Sequence, residues 1–314
     1  MKVVALAGGV GGAKLADGIA RSGLSTLTVI VNTGDDFKHF GLYISPDLDT
    51  VCYNLAGMEN PESGWGRTEE SWETLSEIEK LGGPAWFSLG NRDLATHLER
   101  TRRLNNGEEL SQVTADFCRS WGIEATVLPM SDDLVPTVVK TNQGDLSFQD
   151  YFVKLKCEPE VDGFLYQGAE IAQPAPGVIE AIDQADLIVI CPSNPWVSIA
   201  PILAIPDIRS TLMEKVVIAV SPIISGNAVK GPAAKMYLEM GIQPSAAVVA
   251  DHYSDLLTGF ILDKQDQALI SDIELKYSDS IKVLPTNTWM KTREDRVKVA
   301  EDVINFGQTL IKEV

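Results

Sequence analysis

Long apolar runs are missing from this chain. The longest, such as Leu187-Ile-Val-Ile-Cys191, last only a few residues, far short of the roughly 20 that span a bilayer, so no membrane segment is expected. The opening Met1-Lys-Val-Val-Ala-Leu-Ala7 is basic and then apolar, but glycines arrive before a signal-peptide core of ordinary length can form. It reads as a first strand. Cysteine is scarce too: Cys52, Cys118, Cys157 and Cys191 stand 66, 39 and 34 residues apart, with no C-x-x-C pair. That spacing suggests neither a zinc site nor a redox motif, and free thiols in a cytoplasmic setting are expected. Positive charge is the third deficit. Against 44 Asp and Glu stand only 26 Lys and Arg, a net charge of −18, which argues against a nucleic-acid partner. An anionic substrate must therefore meet a locally basic or metal-neutralised site. Low-complexity segments and internal repeats are also lacking.

What remains is a composition, 45% hydrophobic and 22% charged over 314 residues, that can bury a sizeable core. Short β-branched runs recur at Val3–Ala7, Leu27–Val31, Ala125–Leu128, Leu187–Cys191, Val216–Val220, Ala246–Val249 and Ile281–Leu284. Between many of them lie stretches of helical spacing, as at Lys14–Arg21, Ile199–Met213, Ala233–Met240 and Arg293–Ile311. Continuous apolar strands alternating with amphipathic helices predict one α/β domain over 1–314, with a Rossmann-like parallel sheet covered by helices on both faces. Two segments break the rhythm. A helical insertion is expected over about 48–121 and a small β insertion over about 135–170, the latter around the hairpin-like Asn142-Gln-Gly-Asp145.

The strand Val3–Leu6, the run Gly8-Gly-Val-Gly-Gly12 and a helix from near Lys14 form the strand-loop-helix arrangement in which backbone N–H groups can hold phosphate. The run misses a dinucleotide fingerprint at Lys14, and it misses a phosphate-binding P-loop at Ala13 and Leu15. A tight, closely packed turn is the competing reading. Asp35 and Asp36 end the second strand, where related folds read a ribose hydroxyl. In Ile44-Ser-Pro-Asp-Leu-Asp-Thr50, Ser45 and Pro46 announce a helix start, and Asp47 and Asp49 offer oxygen ligands to magnesium, or one of them hydrogen-bonds a polar substrate. Leu89-Gly-Asn-Arg-Asp-Leu-Ala-Thr-His97 packs polar groups behind an apolar approach, and Ser131, Asp132 and Asp133 follow another strand. Further polar loops at Pro192-Ser-Asn194 and Ser221–Asn227 fall beyond strand ends, where an open parallel sheet binds its ligand. Lys230 and Lys235 are candidates for phosphate. No Ser-His-Asp order or activated cysteine points to covalent catalysis.

Taken in order, LAGGVGGAKLADG, VNTGDD, ISPDLDTV, LGNRDLATH, LPMSDD, FQDYFV, PSNPWVSIAPIL and AVSPIISGNAVKGPAAKM resemble the 2-phospho-L-lactate transferase (CofD) family of coenzyme F-420 biosynthesis. The resemblance implies a magnesium-dependent transfer of a 2-phospholactyl-type group from a guanosine diphosphate conjugate to the ribityl hydroxyl of the deazaflavin Fo, releasing GMP. It implies catalytic and metal-binding roles for Asp47 and Asp49. A deazaflavin site would comprise Asp49, Ser88, Asn91, Arg92 and Asp93. A nucleotide site would comprise Gly9, Gly11, Gly12, Lys14, Asp35, Ser193 and Asn194. The family usually reads LGDRD where this chain has LGNRD, so Asn91 stands in place of a carboxylate. A non-catalytic regulator from a related nucleotide-sugar or dinucleotide-binding family is the alternative. The three-carbon acid of the donor and the oligomeric state, a homodimer included, are left open.

Overall fold

The computed structural model describes residues 1–278 and 280–313. Its centre is a seven-stranded parallel sheet: β1 (Lys2–Ala7), β2 (Thr26–Val31), β3 (Thr126–Pro129), β4 (Leu187–Ile190), β5 (Val217–Val220), β6 (Gly259–Asp263) and β7 (Lys282–Thr286). The spatial order is β3-β2-β1-β4-β5-β6-β7. Val3 of β1 lies between Leu27 of β2 and Leu187 of β4. The chain thus runs outward one way from β1, then returns and runs the other way from β4. That reversal opens a crevice beyond the strand C-termini, between β1 and β4.

Both faces of the sheet are dry, and the strand alternation sorts side chains between them. Val3, Ala5 and Ala7 pack with Leu15 and Ile19 of α1 (Gly9–Ser22) and with Val299, Val303 and Ile304 of the final helix (Arg293–Glu313). Val4 and Leu6 point the opposite way, toward Val178, Ile182, Ile208, Leu212 and Val249. Each valine, leucine or isoleucine side chain so buried contributes about 1.5–3 kcal/mol of hydrophobic stabilisation. Rossmann-like α/β architecture is therefore what the apolar pattern produces.

Between β2 and β3 come a short hairpin (Phe37–His39 with Leu42–Ile44) and four helices, α2 (Pro46–Leu55), α3 (Glu73–Lys80), α4 (Asn91–Asn105) and α5 (Leu110–Ser120). Leu48 and Val51 place α2 in the same apolar cluster as α1. Between β3 and β4 lies a three-stranded antiparallel sheet, Thr137–Thr141 flanked by Gly144–Ser147 and Val161–Tyr166.

Two local expectations differ from the structure. Ala246–Val249 opens a helix, Ala246–His252, instead of a strand. Ser245 caps it by accepting from the Val248 N–H at 3.2 Å, and a short apolar run does not by itself distinguish helix from strand. The sixth strand is Gly259–Asp263, whose five residues are all buried. Also, α1 begins at Gly9, so the glycines form its first turn and not a loop ahead of it.

Candidate active site

A cavity of about 670 Å³ lies beyond the C-terminal ends of the strands, above the β1/β4 crevice. Gly9, Gly11 and Lys14 reach it from α1, Asp35 from the end of β2, and Asp47, Asp49 and Tyr53 from α2. Ser88 and the α4 residues Asp93 and His97 form another wall. Ser193 and Asn194 follow β4, Ser221 and Lys230 follow β5, and Trp289 follows β7. Polar loops at five strand ends converge there because parallel strands deliver all their following loops to one edge.

The glycines have reasons inside the chain itself. A methyl group at Gly8 would overlap the Asp47 carboxylate, one at Gly11 would overlap the Pro192 carbonyl, and one at Gly12 would overlap Ser193 Oγ. Gly9 has φ +61°, the left-handed region that other residues rarely adopt. The loops after β1 and β4 therefore close on one another, with Ser193 Oγ accepting from the Gly8 N–H at 3.2 Å and donating to the Gly8 carbonyl at 2.8 Å. Gly9 and Gly11 border the cavity, whereas Gly12 is buried beneath it and does not.

Asp47 and Asp49 both lie in the first turn of α2, yet they do different things. Asp47 accepts from the Gly9 N–H at 2.6 Å and from Asn32 Nδ2 at 2.9 Å. It thereby ties the start of α2 to the start of α1, and a carboxylate there is favoured by the helix N-terminus. Burial lifts its pKa to about 6, although the bonds from Asn32 and Gly9 act the other way. Asp49 turns instead toward α4, where both its oxygens accept from Arg100, the contact to Nη1 being 3.1 Å.

On α4, Asp93, His97 and Arg100 recur at helical spacing and share the inner face. Tyr53 bonds Asp93 Oδ1 at 2.6 Å, and His97 Nε2 lies 3.4 Å from Asp93 Oδ2. Burial would raise the Asp93 pKa, but the adjacent His97, Tyr53 and Arg100 outweigh it and bring it below the usual carboxylate value. Asp49, Asp93 and His97 each offer a ligand atom, all within 4.8 Å of one another. The buried His97 Nε2 makes no hydrogen bond of good geometry, its nearest acid being Asp93, while Nδ1 lies 3.2 Å from Arg100 Nη1. Two carboxylates and an imidazole nitrogen are a donor set that fits a divalent cation. Among the described residues Asp49 belongs to that group and Asp47, turned toward Gly9 and Asn32, lies outside it.

Two further acids lie close by. Asp35 and Asp36 are both pushed well above the usual carboxylate range, first by burial, then by neighbouring carboxylates; a bond from Ser45 partly offsets the rise at Asp36. The cations on the cavity wall are Lys14, whose Nζ donates to the Met290 carbonyl at 2.9 Å, and Lys230, which bonds the Ser63 carbonyl. Burial lowers both lysine pKa values, with Arg296 and Lys230 adding to the fall at Lys14.

Several expected site residues lie elsewhere. Asn91 and Arg92 face outward, Asn91 donating to Glu73 Oε2 at 3.0 Å and Arg92 to Glu69 Oε2 at 3.1 Å. Their places in the first turn of α4 put them on the side opposite Asp93 and His97. Lys235 is paired with Glu239. Asp132 caps α5 through the Ser111 N–H at 2.7 Å, and Asp133 accepts from the Gln173 N–H at 2.8 Å. Residues that sequence reasoning passed over include Asn32, Tyr53 and Arg100. The i, i+4, i+7 spacing of Asp93, His97 and Arg100 was the available signal for the last of these. Phe87, Phe148 and Phe152 line another end of the cavity; the last two stand in the stretch FQDYFV, which carries no assigned site residue.

Over residues 3–302 the chain matches the family described as 2-phospho-L-lactate transferase CofD. It belongs to the CofD family. A protein of Streptomyces griseus named phosphoenolpyruvate transferase is 46% identical over 283 residues, 87% of this chain and 89% of that one. The Methanopyrus kandleri protein named 2-phospho-L-lactate transferase is 37% identical over 318 residues, 99% of both chains. As a CofD-family member the protein is a transferase, a phosphotransferase of coenzyme F-420 biosynthesis. Crystal structures of a Bacillus halodurans protein, one described as a member of the UPF0052 family, superpose with a TM-score of 0.65 at 14–15% identity. They cover 96% of this chain and 98–99% of their own, and they share its fold. No helix of the described residues is long and apolar enough to cross a membrane.

Proposed function

We propose that the protein transfers a 2-phospho acid group, phospholactyl or its enolpyruvyl or glyceryl analogue, from a guanosine diphosphate conjugate to the ribityl hydroxyl of Fo, with magnesium. The observation that carries this reading is the meeting of the α1 N-terminus with the Asp49–Asp93–His97 group in one cavity. One end suits phosphate, the other suits a cation, and phosphoryl transfer needs both in line. The products are GMP and the coenzyme without its glutamates. The hydroxyl oxygen forms a bond to the phosphorus that bears the acid. The bridging oxygen of the diphosphate leaves with GMP, and the hydroxyl proton passes to solvent or a cavity carboxylate.

In this reading Lys14, Lys230 and the exposed edge of α1 take the diphosphate, while Ser193 and Asn194 border the nucleoside. Phe87 and the stacked pair Phe148 and Phe152, whose ring centroids are 5.3 Å apart, offer an apolar wall for a flat heterocycle. Asp49 is fixed by Arg100 and orients the acceptor. With both oxygens engaged by the guanidinium, its main contribution is positioning. Asp49 and Asp93, with His97 beside them, would hold the magnesium ion, which supplies charge neutralisation at phosphate oxygens.

Fluorescence titration of Fo with the protein tests the acceptor half directly. A saturable change that is sharpened by GDP and magnesium is expected. An Fo spectrum indifferent to the protein at all concentrations contradicts the reading.

A further inference from the structure

A smaller chamber of about 230 Å³ opens beside the main cavity and shares Trp65, Gly66, Ser88 and Asp93 with it. Arg67 is the cation on its wall. The other buried or half-buried arginines of the region are matched to acids: Arg100 to Asp49, Arg103 to Glu108 and Asp116, and Arg296 to Asp17 and Glu59. Arg67 is not. Its Nη2 meets only the sulfur of Met58 at 3.6 Å, its guanidinium lies 5.5 Å from the centroid of the Tyr53 ring, and its Nε is buried without a partner. The nearby carboxylates are already engaged. Glu59 is held by Arg293 and Arg296, Glu70 accepts from the backbone N–H groups of Arg92 and Asp93, and Asp93 accepts from Tyr53. In a chain with 44 acids and 26 bases, a guanidinium left open in a chamber needs an anion from elsewhere.

We propose that Arg67 binds the carboxylate of the donor's three-carbon acid. The inference rests on the transfer reading above and names a residue that selects the donor. Phospholactate and phosphoenolpyruvate, the two acids in the relatives' names, both carry a carboxylate on the carbon that bears the phosphate. That carboxylate must therefore lie within a few bonds of the reacting phosphorus. The chamber meets this demand because Asp93 borders it and also belongs to the candidate cation group. Lys14 and Lys230, on the main cavity wall, remain for the diphosphate.

The test compares three ligands by calorimetry: GDP, lactyl-diphosphoguanosine, and the same donor with its carboxylate converted to the carboxamide. Wild-type protein is expected to bind the carboxylate donor at least tenfold more tightly than the carboxamide. Arg67→Gln should bring that ratio close to one while leaving GDP affinity unchanged, and Arg67→Lys should restore part of it. An Arg67→Gln protein that keeps the ratio overturns the proposal, as does a parallel loss of GDP binding, which would make Arg67 a phosphate or structural group. Wild-type protein that binds neither GDP nor either donor overturns the transfer reading, and this inference with it.

Discussion

Arg100 of α4 holds both carboxylate oxygens of Asp49 of α2, across 51 residues of sequence, in a site where both side chains are buried. The pair joins the helix that starts beside the α1 N-terminus to the helix that carries Asp93 and His97. Breaking it from one side strands a buried charge. Arg100→Met is therefore expected to cost about 3–5 kcal/mol of stability. Adding Asp49→Asn to that variant should recover much of the loss without recovering turnover, as read by urea denaturation and a transfer assay. Asp49→Asn alone should lower stability as well as turnover, because it leaves the guanidinium without its counter-charge.

Gly11 separates packing from ligand binding. Gly11→Ala drives a methyl into the Pro192 carbonyl, and backbone on both sides leaves little room to yield. Loss of more than about 3 kcal/mol or of soluble protein is expected, in the range of severe overpacking. Lys14→Met, by contrast, should unfold near the wild-type midpoint and bind GDP at least several-fold more weakly.

Asn91→Asp turns the segment LGNRD into LGDRD. Because Asn91 bonds Glu73 and the Thr74 N–H at the surface, the change should leave kcat/KM within about twofold. Stability should move by no more than roughly 0.5 kcal/mol, as for other surface substitutions. A large gain in turnover would place this side chain in the chemistry.

Asp36 gives a pH signature. Its Oδ2 accepts from Ser45 at 2.7 Å, but its Oδ1 is buried without a partner. Burial first, then Asp49 and Asp47, raise its pKa well above 3.8, with Ser45 and Arg100 opposing. The folded protein thus binds a proton that the unfolded chain releases, and stability falls as pH rises from about 4 toward the folded pKa. Asp36→Asn removes that penalty. The variant should be more stable than wild type at pH 7.5. The difference should vanish near pH 4, as followed by thermal unfolding across that range.

The parallel sheet was legible because strands buried on both faces read as continuous apolar runs, as Leu187–Cys191 does. Gly259–Asp263 escaped because a glycine opens it and an acid closes it. Ala246–Val249 misled because four apolar residues carry no period. Within the site, the segments after β1, β2 and β4 were readable from glycines, acids and Ser-Asn placed at strand ends. The glycine run looked like ligand chemistry, while Gly8, Gly11 and Gly12 answer to Asp47, Pro192 and Ser193, partners that only the fold brings near. Asp49–Arg100 was hidden for the same reason: nothing in a linear sequence says which buried acid meets which buried base.

The most direct measurement is the mass of the product formed when the purified protein is mixed with Fo, magnesium and each guanylyl donor in turn: lactyl, enolpyruvyl and glyceryl. The account predicts Fo enlarged by one phospho acid with at least one donor, an equal amount of GMP, and no product once magnesium is chelated. Unchanged Fo with all three donors, under conditions where Fo binds, would contradict it.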